Sequence, residues 1–369
     1  MRKNKNPQKI ILLILGIIIL FFAGQAVFKI AKLSPFLFQL LFNREIDLKK
    51  TDHNVNVLLL GIGGGAHQGP NLTDTIVFAS LSSGGDKIEL ISIPRDLWVP
   101  DITGKVNTAY SKGEDKRKGG GLVLAKAAVR KVINQPIDYA LLIDFDGFVK
   151  AVDLVGGLDV DVERSFDDYE YPITGKEDDP CGHSEEELKE FATASSQLKA
   201  FPCRYMHIRF SKGFQRMDGK TALMFVRSRH GQGEEGSDFA RSKRQEKIIK
   251  AFKDKVFSLQ SLVNPAKVIG LYDILKESID TDIKEKEFDD FIRLFNKMKK
   301  AKTESIVIDI GNQQKQRAGL LVHPDLSEEY NFEWVLIPRV GNSNFSEIQK
   351  YIDCEIKTEN CPVSIKPQS

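Results

Sequence analysis

NVNVLLLGIGGGAHQGPNLTDTIVFASLS, residues 54–82, sets two runs of branched apolar residues around a glycine-rich loop. Both the run from Asn54 and the run from Thr75 have the short length and β-branched content of strands. KIELISIP from Lys87 and YALLIDF from Tyr139 repeat the pattern, and GGLVLAKAAVRKVI, residues 120–133, carries helical spacing between them. Strands interleaved with helices build α/β architecture, so the expected fold is a mixed central sheet flanked by helices. The loop GIGGGAHQGP is not a Walker loop, and its glycines alone are weak evidence of phosphate binding.

Working outward, LDVDVERSF from Leu158 reads as a strand whose alternation exposes Asp159, Asp161 and Glu163, either as a solvated edge or as a metal site. LMFVRSR, ending at Arg229, has the hydrophobic alternation of another strand. ARSKRQEKIIKAFKDKVF from Ala240 and EFDDFIRLFNKMKK near residue 290 have helical periodicity. Residues 165–204 form an acidic, irregular insertion, read as a surface loop or a substrate-facing lid. The tail after residue 318, with FEWVLIP, reads as a small covering element.

Residues 10–28 are 19 consecutive uncharged residues between Lys9 and Lys29, the helix length that spans a hydrocarbon core. Arg2, Lys3, Lys5 and Lys9 form an acid-free basic tail, which the positive-inside tendency keeps in the cytoplasm. A cleaved signal peptide is the competing reading, but the run is long for one and lacks a clean small-x-small cleavage site. The expected location is therefore the cytoplasmic membrane, single-pass, with the N-terminus inside and the rest outside.

The chain carries a net charge of +2, and the six cations among residues 1–32 leave about −4 on the remainder. That is a poor footprint for nucleic acid, so no specific nucleic-acid partner is expected. A nine-residue basic tail is also too short for a folded DNA-binding domain. The four cysteines fit an oxidising compartment. Local pairing of Cys181 with Cys203 and of Cys354 with Cys361 is the simplest of three connectivities, with free thiols as the alternative.

Charged residues gather at strand ends. Asp74 stands just before an apolar strand, Arg95 and Asp96 follow another, and Lys105 and Asn107 come soon after. RSRHGQGEEGSDFARSKRQ, residues 227–245, adds Arg227 and Arg229, which an extended backbone sends to one face, and Arg241, Arg244 and Gln245, whose spacing shares a helical face. Asp238 stands where a helix begins and can cap or orient the group. Arginines hold phosphate oxygens, and carboxylates position magnesium or accept a proton, so the mixture fits phosphoryl transfer; a structural salt-bridge network is the alternative.

VLLLGIGGG, LTDT, SIPRDLWV, KVNTAYSKG, IDYALLIDFDGFVKAVDLVGGLDVDV, MDGKTALMFVRSRH and GSDFARSKRQ occur in one order across residues 55–255. This ordered set resembles the LytR-CpsA-Psr family of bacterial envelope enzymes. The resemblance implies an apolar groove for a polyprenyl chain and an arginine-rich mouth for its pyrophosphate. It also implies a phosphotransferase that moves a polyprenyl-pyrophosphate-linked glycopolymer, as a sugar-phosphate unit, to peptidoglycan or another envelope glycan, with Mg2+ assisting. It carries pyrophosphate contact onto Arg95, Arg227, Arg229, Arg241 and Gln245, the metal role onto Asp74, and a base or orienting role onto Asp238. Asp96, Lys105, Asn107 and Arg244 are supporting residues. Gly63 and Leu72 depart from the family's usual acid and arginine at those places, and His67 stands in the same loop. A pyrophosphohydrolase using the same cluster and a non-catalytic envelope scaffold or lipid-binding protein are the rival readings.

The expected organisation is a cytoplasmic tail over 1–9, a transmembrane helix over 10–28 and a connector over 29–54. A catalytic domain over 55–255 follows, with its insertion at 165–204, then a helical completion over 256–317 and an appendage over 318–369.

Overall fold

The computed structural model describes residues 46–65, 69, 71–191, 196–256, 278–312, 317–358 and 361–363. The apolar run at 10–28 and His67 lie outside them. Among the described residues no helix is long and apolar enough to cross a membrane. The chain divides into two units, Lys49–Ile283 with Lys297–Ser369, and Met1–Leu48 with Lys284–Asn296. In the second, the helix beginning at Phe288 is braced by Arg293, whose guanidinium meets Asp289 and Asp290 at 2.6 Å each.

The first unit is built on the opening stretch. β1 (Asn54–Ile62), β2 (Thr73–Ser82) and β3 (Lys87–Ser92) form an antiparallel meander. The chain passes through α1 (Ala109–Lys116) and α2 (Gly121–Ile133) into β4 (Tyr139–Asp144), which pairs parallel with β1. α2 buries Leu122, Ala125, Val129 and Val132, the i, i+3, i+4 stripe of a core-facing helix, and ends at Asn134 in the left-handed conformation. With Leu58, Phe78 and Ile91 it makes the main core. Fully burying each such side chain stabilises the fold by about 1.5–3 kcal/mol.

α3 (Phe145–Leu154) leaves β4 directly, with the Asp144 carboxylate capping it by accepting from Gly147 N at 2.7 Å. β5 (Leu158–Val162) follows with Asp159 and Asp161 exposed, as its alternation requires. Asp159 meets Arg216 at 2.6 Å and Lys255 at 3.5 Å, so that acid is part of a solvated charge pairing. β6 (Phe166–Pro172) pairs antiparallel with β7 (Tyr205–Phe210), and β8 (Gly213–Met217) pairs antiparallel with β5. The insertion is therefore not irregular throughout: it is a β-ribbon at its base, with a helix at Glu185–Phe191 and the disulfide Cys181–Cys203 tying its ends. Phe166, Ile208 and Phe210 bury into a second core and explain the ordering.

LMFVRSR is not a strand. α4 (Gly219–Arg227) occupies it, started by Asp218, whose side chain accepts from Thr221 N at 2.8 Å. Ala222 and Phe225, three apart, are the buried positions, so helical spacing prevails over the local apolar run. Gly219 is required: a Cβ there would stand 2.3 Å from Val149 O on α3. α5 (Asp238–Val256) follows, and its first turn is capped by Ser237, whose hydroxyl accepts from Ala240 N at 3.2 Å.

β9 (Ile279–Thr281) and β10 (Lys302–Val307) complete a six-stranded sheet of order β9-β4-β1-β2-β3-β10. β10 pairs parallel with β3. β1, β3, β4 and β10 thus run the same way, and their carboxyl ends share one edge with the start of β2. The tail adds the short pair β11 (Leu321–Val322) and β12 (Ile337–Pro338), then α6 (Ser346–Thr358), followed by the disulfide Cys354–Cys361. Ile348 and Ile352 of α6 join the main core, so the tail completes that core.

Candidate functional site

In open α/β sheets ligands bind beyond the carboxyl ends of the strands, because loops converge there on a rigid frame. Several of the residues named from the sequence stand at that edge. Asp74 is the second residue of β2, and its side chain is 42% exposed. Arg95, three residues past β3, donates from its guanidinium to the Asp74 carboxylate, and its Nε lies 3.4 Å from Asp96 Oδ2. Burial works against the Arg95 charge, but the carboxylates of Asp74 and Asp96 outweigh it and hold the guanidinium above its ordinary range. Lys105 continues the chain of alternating charge, 3.8 Å from Asp96 and 2.8 Å from Glu333. Asn107 is buried behind the site, and its carbonyl accepts from the Thr73 hydroxyl at 3.2 Å.

A cavity of about 300 Å³ opens at this edge. Ile76, Ile93, Phe239, Ile308 and Leu336 line its apolar side; Asp74, Arg241, Ser242 and Gln245 line its polar side. Gln245 is fixed by donating to Thr75 Oγ1 at 3.0 Å, which ties α5 to β2 beside Asp74. Gly236 and Ser237 also line the cavity, so the start of α5, with its partial positive charge, faces it. A larger depression of about 700 Å³ along α2, lined by Lys126, Arg130 and Lys131, contains none of these groups.

The arginines named from the sequence do not converge as the expected strand-and-helix geometry required. Arg227 ends α4, its guanidinium 4.3 Å from the centre of the Phe145 ring and 3.5 Å from the Tyr171 hydroxyl. Phe145 directly follows Asp144, which pairs with Ile62 of β1, so Arg227 approaches the same sheet edge from the β4 side. Arg229 is half-buried in the following loop. Arg241 and Arg244, spaced to share a face, are used differently. Arg244 is 3% exposed and donates to the carbonyls of Phe225, Ser228 and Glu235 at 2.9, 2.6 and 2.9 Å, and to the Glu235 carboxylate at 2.9 Å. Burial pulls its charge down, and Glu235 only partly offsets that. Arg244 therefore staples the 225–235 loop to α5. Asp238 is the first residue of α5.

Asp168 escaped sequence reasoning. It is buried at the base of the insertion and accepts from Ser228 Oγ at 2.6 Å and His230 N at 3.3 Å, holding the arginine-bearing loop. One more acid in an acidic segment carries no distinguishing signal. Asp309, His323 and Trp334, also on the cavity wall, were likewise not singled out.

Magnesium takes oxygen ligands, keeps several waters and needs one or two protein carboxylates besides substrate phosphates. Asp74 fits as such a carboxylate: it is accessible at the cavity, beside groups suited to phosphate oxygens. Gly63 supplies no side-chain ligand. Its neighbour Gly64, at φ +65°, packs against Asp144, where a Cβ would stand 2.9 Å from Asp144 Cβ. Elsewhere, Asp179, Cys181 and Cys203 cluster closely, but both sulfurs are spent in the disulfide and offer no thiolate to a metal.

A model described as the LytR_cpsA_psr family matches residues 33–328. A protein of Bacillus subtilis (strain 168) named polyisoprenyl-teichoic acid–peptidoglycan teichoic acid transferase TagV is 29% identical over 251 residues, which cover 66% of this chain and 53% of TagV. A TagU of the same description from Oceanobacillus iheyensis is 28% identical over 241 residues, covering 64% of this chain and 61% of TagU. The match thus spans about half to three fifths of the length of these curated relatives. The crystal structure of B. subtilis TagV aligns with a TM-score of 0.54 at 23% identity, over 82% of this chain and 97% of that one, a likeness of fold. With the family model matching most of its length, the chain belongs to the LytR-CpsA-Psr family.

Proposed function

We propose that this chain is an extracytoplasmic phosphotransferase that moves a glycopolymer from a polyprenyl-pyrophosphate carrier to peptidoglycan or another envelope glycan. The observation that carries this reading is one cavity joining an apolar wall to Asp74, Arg241, Gln245 and the start of α5. An amphiphile with a pyrophosphate head needs that combination, since its chain avoids water while its oxygens need fixed positive charge. The transferase names of TagV and TagU support it.

In the reaction, an acceptor hydroxyl oxygen attacks the sugar-bearing phosphorus. The bond from that phosphorus to the bridging oxygen breaks, and polyprenyl phosphate leaves with the electron pair. The hydroxyl proton passes to a base, the role assigned to Asp238. Arg241 and Gln245 hold phosphate oxygens from α5, and further phosphate contacts are assigned to Arg227, at the end of α4, and Arg229, in the loop after it. Arg95 orients Asp74 and adds positive charge behind it. Asp74 would hold magnesium, which supplies charge neutralisation to the phosphates when bound. Such fixed donors act where charge develops, which is why they accelerate transfer rather than merely retain the lipid.

The test uses the full-length chain, a synthetic polyprenyl-pyrophosphate-linked sugar, a peptidoglycan acceptor and magnesium. A covalent sugar-phosphate product on the acceptor is expected. Arg227→Ala, Arg229→Ala and Asp74→Ala should each slow it by about 30- to 1,000-fold, the effect of removing a preorganised contact. Free sugar phosphate as the sole product would favour a pyrophosphohydrolase, and lipid binding without product an envelope scaffold. Unchanged transfer in the folded variants would remove the proposed site.

A further inference from the structure

Trp334 lines the cavity with its side 52% exposed to solvent, yet it sits on a tightly held segment. β12 pairs with β11 on one side of it. Leu336 N donates to Asp96 O at 2.9 Å and Trp98 N donates to Leu336 O at 2.8 Å, binding the segment to the strand end that carries Arg95. Val335 and Ile337 pack with Trp98 and Tyr330, the last two edge to face at 5.5 Å. Glu333 is held by Lys105 at 2.8 Å. A large aromatic ring kept half in water by such a frame, on the rim of a cavity, is the signature of a binding surface rather than of a loose side chain.

Its neighbours indicate the ligand. The His323 ring lies against Trp334 with centroids 3.9 Å apart. His323 Nδ1 is 3.0 Å from Val335 O, and since a carbonyl oxygen can only accept, Nδ1–H donates to it. Asp309 lies on the same wall, with Oδ1 accepting from Gly311 N at 2.9 Å. A flat indole beside an imidazole and a carboxylate suits a pyranose ring, whose C–H face stacks on the aromatic surface while its hydroxyls meet the polar groups. An acyl chain would gain nothing from the polar pair.

We propose that Trp334, with His323 and Asp309, forms a subsite for the first sugars of the lipid-linked glycopolymer, placed beside the pyrophosphate groups. The inference rests on the pyrophosphate reading of the cavity. The family model ends its match at residue 328, so Asp309 and His323 lie within the matched residues and Trp334 beyond them.

The chain has two tryptophans, and Trp98 is 2% exposed, so changes in tryptophan emission on adding ligand report Trp334. The full-length chain in phosphatidylglycerol–phosphatidylcholine vesicles is titrated with two compounds of equal charge. One is a short-chain polyprenyl pyrophosphate bearing a disaccharide, the other the same pyrophosphate capped with methyl. The disaccharide compound should change Trp334 emission and bind about five- to tenfold more tightly, the margin expected of one aromatic stack. By calorimetry, Trp334→Ala should abolish that margin, Trp334→Phe should keep most of it, and both should bind the methyl compound as the parent does. Equal affinities of the parent for the two compounds would overturn the sugar subsite and leave the pyrophosphate reading intact. Binding of neither compound would overturn both. Quenching of Trp334 by bromine-labelled acyl chains in substrate-free vesicles would also overturn the subsite, by placing the ring in the membrane.

Discussion

Arg241 and Arg244 lie three residues apart on one helix and do unlike work. Arg241 reaches the cavity wall, while Arg244 spends its guanidinium on three carbonyls and Glu235. Helical spacing marked both as neighbours of the site, but it carries no information about which packed loop each would meet. The difference is measurable. Arg244→Ala should destabilise the chain by about 3 kcal/mol, because it leaves Glu235 without its buried partner and three carbonyls without donors. Arg244→Lys should recover little of this, since an ammonium lacks the fork that spans those acceptors. Urea denaturation of the full-length chain checks both, and an unchanged midpoint for Arg244→Ala would show that the 225–235 loop is held by other means. Asp74→Asn, at a half-exposed position, should by contrast shift stability by less than about 1 kcal/mol.

At the scale of elements, α4 is the instructive case. Its run of Leu223, Met224, Phe225 and Val226 is apolar on successive residues and so is compatible with strand or helix. What decides is Asp218 at its start and the docking of Gly219 on α3, neither visible as periodicity. Hydrogen bonds from Thr221 hold the Asp218 carboxyl below its ordinary value of 3.8. A depressed folded pKa gives stability that is present above the unfolded value and is lost as pH falls through the folded one. Asp218→Ala should therefore cost about 1 kcal/mol at neutral pH, and the gap from the parent should close as the pH drops below about 4. Urea midpoints of parent and variant across that range provide the test. A gap that persists in acid would mean that the carboxylate is not the cap.

For the whole molecule, the proposed transfer requires the site to lie outside the cytoplasmic membrane, and family membership agrees with a membrane-anchored chain. The basic tail before the uncharged run at residues 10–28 predicts an N-terminus-inside orientation. Protease added to spheroplasts should degrade the region carrying β1 to α5 and spare the short N-terminal tail. Digestion of that region only after membrane permeabilisation would reverse the topology and, with it, the proposed access to an envelope acceptor.

By itself the sequence determined the strands β1 to β4, the helices α2 and α5, and the exposed acids of β5, because hydrophobic period is set locally by which face must leave water. It also located Asp74, Arg95, Arg241 and Gln245, because strand ends and helix starts are places where a chain can present charge without burying it unpaired. The nearby pairings Cys181–Cys203 and Cys354–Cys361 were legible for the same local reason. Only the tertiary structure decided that residues 166–172 and 205–210 form a ribbon, that Asp168 holds the arginine loop and that Trp334 reaches the cavity from more than 230 residues beyond Asp96. Those outcomes depend on pairing and packing between distant segments. The free energy of such contacts belongs to the assembled fold and leaves no periodic trace in the segments that make them.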